Sequence, residues 1–221
     1  MLKLVVFDWN GTILSDSKTC VDADNHVFKL FNLKPLTLKR FRETFDIPLD
    51  KYYAANGLNE KMFWENLTLV QDTFHKQYNI LAKKCRTRAG AKKLLKWLSG
   101  KKIESVILSN HVIEDIESHL SRLKLKKFFK TILANKQHYT VCIKSKQEML
   151  QSFLQKNRIK RSETIIIGDA PEEIEIARKL GLKAAISLSD GFYSKKRLKA
   201  LKPDYLIDNL NQAIPILTKQ L

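Results

Sequence analysis

The sequence predicts a doubly wound parallel α/β domain with an α-helical segment inserted behind its first strand. Three observations predict it. From Thr87 to Leu221, short apolar runs alternate with helix-length segments, the pattern of repeated strand–helix units. One apolar run, Leu2 to Phe7, stands alone near the start. Between the two, from Ser15 to about Arg86, the apolar spacing is helical and carries no strand signal.

The elements follow in order. Leu2 to Phe7 reads as a buried strand and runs straight into Asp8-Trp9-Asn10-Gly11-Thr12. Val27, Leu30 and Phe31 share one helical face, and Pro35 interrupts the chain before a helix over Thr37 to Phe45. A long amphipathic stretch covers about Asn59 to Ala82. Strand and helix then alternate: Ser105–Leu108 and Val112–Leu123, Thr131–Leu133 and Lys146–Leu154, Thr164–Ile167 and Glu172–Leu180, Ala184–Ser187 and Lys195–Leu201, then Tyr205–Ile207 and a final helix. The expected division is an α/β core over 1–15 and 87–221 and a helical cap over 16–86.

Composition narrows the class. Apolar residues make up 44%, and Gly and Pro number only 7 and 5, which excludes a low-complexity chain. No apolar run approaches the roughly 20 residues of a membrane span. The first run breaks at Asp8, too soon for a signal peptide. Cys20, Cys85 and Cys142 are odd in number and widely spaced, which is neither a disulfide framework nor a zinc site, so a reducing, cytoplasmic setting is expected. The net charge is +17, and it is uneven: Asp16 to Arg86 carries +3 and Thr87 to Leu221 carries +14. Such a field attracts anions. A phosphorylated metabolite is the favoured partner and nucleic acid the less favoured one, since no nucleic-acid motif accompanies the charge. Substrate and oligomeric state are not legible.

In open α/β sheets ligands bind beyond the carboxyl ends of the strands. The polar residues there are Asp8, Ser109, Gly168-Asp169 and Asp190, with Asn135 at the remaining end. Asp8 is placed to act as nucleophile or metal ligand, with Gly11 allowing a sharp turn after it. Ser109, and the N–H groups after it at an expected helix start, suit an anion. Asp169, with Glu173 four residues on, completes a hard-oxygen set suited to Mg²⁺. Lys146 opens a helix between these strands.

Taken in order, these residues resemble the motifs of the haloacid dehalogenase-like hydrolases. Val5-Val6-Phe7-Asp8-Trp9-Asn10-Gly11-Thr12 resembles the first motif, Ile107-Leu108-Ser109-Asn110 the second, and Ile165-Ile166-Ile167-Gly168-Asp169 with Glu173 the fourth. The third is a lysine, Lys146 by preference and Lys144 as second choice. His138-Tyr139 with Ser145-Lys146, and Ser189-Asp190-Gly191-Phe192-Tyr193 with Arg197-Leu198, resemble stretches of one phosphatase subgroup. Phe41-Arg42-Glu43-Thr44-Phe45 through Tyr52-Tyr53 resembles caps of phosphoglycolate phosphatase-like members. The resemblance implies a Rossmann-like core and a phosphatase that forms an aspartyl-phosphate on Asp8. It implies Mg²⁺ held by Asp8, the Asn10 carbonyl and Asp169, with Thr12 in the catalytic set. It further implies Glu173 orienting metal-bound water, and Ser109, Asn110 and Lys146 on the phosphate.

Family phosphatases carry a second Asp where this chain has Asn10, and an amide cannot serve as acid and base. Slow turnover on alkyl phosphates is therefore expected, with a smaller loss on acyl phosphates. The departure leaves a phosphonate hydrolase open, since those members have Trp at the position of Trp9 and use a cap lysine, for which Lys51 is the candidate. Dehalogenases lack the pair that Gly168-Asp169 supplies. A non-catalytic binding protein with a retained site is the alternative of another class. In the cap, Arg40, Arg42, Lys51, Tyr52 and Tyr53 are candidates to reach a substrate. Phe63, Trp64, Leu67 and Phe74 read as core packing, and His111 as a surface residue at a helix start.

Overall fold

The computed structural model describes residues 1–136 and 145–221. Its strands are β1 (Leu4–Phe7), β2 (Leu14–Ser15), β3 (Arg86–Thr87), β4 (Glu104–Val112), β5 (Thr131–Asn135), β6 (Thr164–Gly168), β7 (Ala184–Leu188) and β8 (Tyr205–Ile207). Its α-helices are α1 (Ser17–Leu30), α2 (Leu38–Thr44), α3 (Leu49–Ala55), α4 (Glu60–Glu65), α5 (Leu67–Ala82), α6 (Ala91–Gly100), α7 (Ile113–Leu123), α8 (Lys146–Lys156), α9 (Pro171–Leu180), α10 (Lys195–Ala200) and α11 (Ala213–Thr218).

Six strands form one parallel sheet in the order β5-β4-β1-β6-β7-β8. Every residue of β1, β6 and β7 is buried, as strands covered by helices on both faces require. Alternation divides their side chains between two apolar layers. Val5, Phe7, Ile165 and Ile167 join one, and Leu4, Val6 and Ile166 join the other. Register then fixes the site. Phe7 lies opposite both Ile107 and Ile167, and the Asp8 N–H donates to the Ile167 carbonyl at 2.9 Å. The residues that follow β1 and β6 therefore emerge together, beside Ser109 of β4.

Helices α1 to α5 lie between β2 and β3, which pair antiparallel through Leu14–Thr87 and Ser15–Arg86. Helix α1 packs on α5. Polar ties join this insert to the loop after β7. Arg42 donates to the carbonyls of Gly191 (3.1 Å) and Asp190 (2.5 Å), and Arg197 donates back to the carbonyl of Phe45 at 2.6 Å.

Three expectations are corrected. Strand β4 does not stop at Leu108 but continues to Val112, with an irregularity in its pairing to β5 after Leu108. Ser109, Asn110 and His111 are therefore strand residues, and the next helix begins only at Ile113. The stretch Asn59–Ala82 is two helices broken at Asn66, whose N–H bonds back to Met62 and Phe63. Helices α3 and α6 are additions to the expected set.

Candidate active site

Asp8 sits one residue past β1, 8% exposed. Its Oδ1 accepts a hydrogen bond from Lys146 Nζ at 2.7 Å, and the same ammonium donates to Glu173 Oε1 at 2.7 Å and lies 3.3 Å from Glu172. Lys146 is the first residue of α8. A capping box holds it there: Ser145 Oγ accepts from the Glu148 N–H, and the Glu148 carboxylate accepts from the Ser145 N–H at 2.7 Å. Burial pushes the Lys146 ammonium down, but Asp8, Glu173 and Glu172 outweigh it and hold the pKa well above the usual value. Burial pushes Asp8 up to about 7, against the pull of Lys146 and with the help of Asp169. Lys144 lies outside the described residues, as do His138 and Tyr139.

Asp169, one residue past β6, is gripped on both oxygens. Thr12 Oγ1 donates to Oδ1 and the Phe192 N–H to Oδ2, each at 2.6 Å. Gly11 and Gly191 close around it: a Cβ at either position would stand 2.3 Å and 2.1 Å from Oδ2. Gly11 also has φ +75°, which a side chain would strain. Burial pushes Asp169 up to about 7. Thr12 does not reach the cavity itself and touches the site through Asp169.

Asn10 turns toward the insert. Its Nδ2 donates to Asp16 Oδ2 at 2.6 Å and to Tyr78 Oη at 2.9 Å, while Tyr78 donates to the same Asp16 oxygen at 2.7 Å. The other Asp16 oxygen accepts from the Gly11 N–H at 2.7 Å. A fully buried carboxylate thus shapes the turn after Asp8. Ser109 is buried and accepts from the His111 N–H at 3.1 Å. Asn110 is exposed and donates to Glu172 at 3.1 Å.

Asp8, Asn10, Ser109, Asn110, Lys146 and Asp169 line a single cavity of about 720 Å³ between the sheet end and the insert. Glu173 stands behind it, 2% exposed, against Lys146. Among the described residues no three His, Cys, Asp or Glu side chains converge closely enough to enclose an ion. The donors present still fit Mg²⁺, which takes one or two carboxylates and keeps several waters. They are hard oxygens, and Lys146 is the one lysine or arginine among the described residues lining the cavity, set against Asp8, Asp169 and Glu172.

Comparison with known proteins gives the family. Residues 5–187 match the family model for haloacid dehalogenase-like hydrolases. The chain belongs to that family. A phosphoglycolate phosphatase from Synechococcus elongatus is 24% identical over 222 residues, covering 99% of this chain and 100% of the relative. Pyrophosphatase PpaX from Bacillus mycoides is 23% identical, covering 99% and 98%. A haloacid dehalogenase-like hydrolase structure from Streptococcus pneumoniae superimposes with a TM-score of 0.81 at 19% identity, covering 98% of each chain, so the hydrolase fold itself is shared.

Other residues of this hydrolase are placed differently from expectation. Tyr52 and Tyr53 line the cavity, whereas Arg40, Arg42 and Lys51 do not. Arg40 bonds to Asn56 and Ala55, and Lys51 is exposed. Trp9 is wholly buried, 6.4 Å from the His119 ring, and like Lys51 does not line the cavity. Phe63 belongs to the main apolar core and Leu67 and Phe74 pack against it, as expected, with Phe63 and Phe74 also lining the cavity, whereas Trp64 is 57% exposed. His111 belongs to the cavity wall, 5.8 Å from the Tyr78 ring.

Three acids were not anticipated: Asp16, Asp24 and Glu172. Asp24 has a legible signal, since it interrupts the buried stripe Cys20-Val21-Val27-Phe28 of α1. Its two oxygens accept from Tyr52 and Tyr53, each at 2.7 Å. Asp16 precedes α1 and reads as an ordinary helix cap, yet makes no side-chain cap bond.

Proposed function

We propose that this hydrolase is a Mg²⁺-dependent phosphatase acting on a small phosphorylated molecule, with Asp8 as nucleophile. The observation that carries the reading is the buried Asp8 carboxylate on the cavity wall with Lys146 Nζ at 2.7 Å. Asp8 attacks phosphorus: an Asp8 oxygen–phosphorus bond forms, and the bond to the leaving oxygen breaks. Water then attacks the aspartyl-phosphate, releasing inorganic phosphate and restoring Asp8. Lys146 exchanges its bond to Asp8 for bonds to phosphate oxygens, and Ser109 donates to another. Glu173 is a positioning residue that holds Lys146. Asp8, Asp169 and the Asn10 carbonyl would hold Mg²⁺, which supplies neutralisation of the phosphate charge. Thr12 and the Phe192 N–H keep Asp169 aimed.

Asn10 cannot hand a proton to the leaving group. General acid catalysis contributes roughly 10²–10⁴-fold, so alkyl phosphates should turn over slowly and acyl phosphates, whose leaving group needs no proton, less so. The test is phosphate release from acetyl phosphate, para-nitrophenyl phosphate and phosphoglycolate, with and without Mg²⁺, beside Asp8→Asn. Metal-dependent release that falls to background in the variant is expected. Folded protein that releases nothing from any of them would leave a binding role for the retained site.

A further inference from the structure

The cavity above Asp8 differs in character from the rest of the molecule. Its outer wall is aromatic and apolar: Phe41, Tyr52, Phe63, Val70 and Phe74 face it from the insert. Besides Asp8 and Asp169, the carboxylates lining it are Asp24, Asp46, Glu172 and Glu175, and the imidazoles of His75 and His111 line it too. Of the 40 lysines and arginines in the chain, Lys146 alone among the described residues lines the cavity. Lys146 is already shared between Asp8 and Glu173. The guanidinium groups that reach the loop after β7 are committed to its carbonyls, Arg42 to Gly191 and Asp190, and Arg88 to Ser189 and Asp190.

We propose that the substrate is a phosphate monoester whose leaving group is apolar or aromatic and carries no negative charge. This deepens the phosphatase reading and rests on it. The phosphoryl group brings two negative charges, and Lys146 with a bound divalent cation is matched to those. A second anion, such as the carboxylate of phosphoglycolate or the second phosphate of pyrophosphate, would be desolvated against phenyl rings and carboxylates, with no lysine or arginine besides Lys146 among the described lining residues to meet it. A ring or alkyl chain there buries its surface on the rings of the insert, with edge-to-face partners available. A volume of about 720 Å³ leaves room for a bicyclic group beyond the phosphate. Specificity therefore resides in the insert wall and runs against the substrates named for the two relatives.

The experiment is calorimetric binding of two phosphonates, benzylphosphonate and phosphonoacetate, to the full chain with Mg²⁺ at pH 8. Acetyl phosphate hydrolysis is measured separately on the same preparation. Benzylphosphonate is expected to bind at least about tenfold tighter than phosphonoacetate. Gln71 lies on the cavity wall, and Gln71→Arg is expected to strengthen phosphonoacetate by about tenfold while leaving benzylphosphonate within about twofold. Phosphonoacetate binding as tightly as benzylphosphonate, or neither binding, overturns the proposal whatever the hydrolysis assay reads. Failure of acetyl phosphate hydrolysis with the binding preference intact sinks the phosphatase reading instead.

Discussion

Asn10 and Asp24 are the two residues whose surroundings make the sharpest demands. Replacing Asn10 by Asp puts a carboxylate where Nδ2 now meets Asp16 at 2.6 Å, in a place where Asp16 is fully buried. Two such acids share one proton, and the shared proton is a general acid that the native protein lacks. Asn10→Asp is therefore expected to raise turnover of ethyl phosphate by about 10²-fold while changing acetyl phosphate little, at about 1–3 kcal/mol of stability from the lost charge-assisted bond. Equal gains on both substrates would show that proton donation was not what Asn10 withholds. Asp24 offers a test by pH. Burial raises its pKa from 3.8 to about 7, with the Tyr52 and Tyr53 hydroxyls opposing. The folded state thus holds the proton more tightly than the unfolded chain, and the contribution of this acid to stability falls as pH rises from about 4 to about 7, then stays flat. The full change is roughly 4 kcal/mol, at about 1.4 kcal/mol per unit. Urea unfolding across that range should show the wild type losing stability relative to Asp24→Asn, and parallel curves for the two would refute the assignment.

The loop after β7 is the element that sets Asp169. Its Phe192 N–H holds Oδ2, and the backbone at Gly191 passes so close that a Cβ would stand 2.1 Å from that oxygen. Gly191→Ala must push Asp169 or the loop aside. The expectation is a loss of about tenfold or more in Mg²⁺-supported hydrolysis with an unchanged circular dichroism spectrum, since about 1.4 kcal/mol of misplacement suffices for that factor. A weaker apparent Mg²⁺ affinity in the same variant locates the damage at Asp169. This element also shows what a sequence discloses. Strands β1 and β6 are legible because Leu4–Phe7 and Ile165–Ile167 are unbroken apolar runs, and the acids after them follow at once. The extension of β4 through Ser109-Asn110-His111 is not, because it rests on the pairing of Val112 with Asn135 beyond the irregularity and on Asn135 Nδ2 donating to the Asn110 carbonyl at 2.8 Å. Nor is the Asn10–Tyr78 contact, which joins residues 68 apart through the fold of the insert. Lys146 is intermediate: its helix start is visible in Ser145 and Glu148, but its meeting with Asp8 depends on the sheet order.

At the scale of the whole molecule, a net charge of +17 surrounds a cavity whose described lining holds one lysine and several acids. The positive charge is thus a property of the outer surface and not of the chemistry. Surface charges act over about 10 Å at 0.1 M salt and much less at high salt. They can speed the arrival of an anion, but arrival limits only an enzyme that works near the diffusion ceiling. A phosphatase slowed as proposed by the missing acid at Asn10 would be far from that ceiling. Phosphate release from acetyl phosphate should therefore change by less than about twofold between 50 and 500 mM potassium chloride, because Lys146 and Asp8 meet the phosphate in a buried, poorly screened setting. Binding of a nucleic acid by the same surface would respond oppositely, since releasing counterions from several phosphates weakens affinity by about 10³-fold or more over a smaller change in salt. Running both measurements on one preparation separates the two uses of the charge. Hydrolysis that collapses with salt would mean that the surface field, and not the cavity, brings the substrate to Asp8.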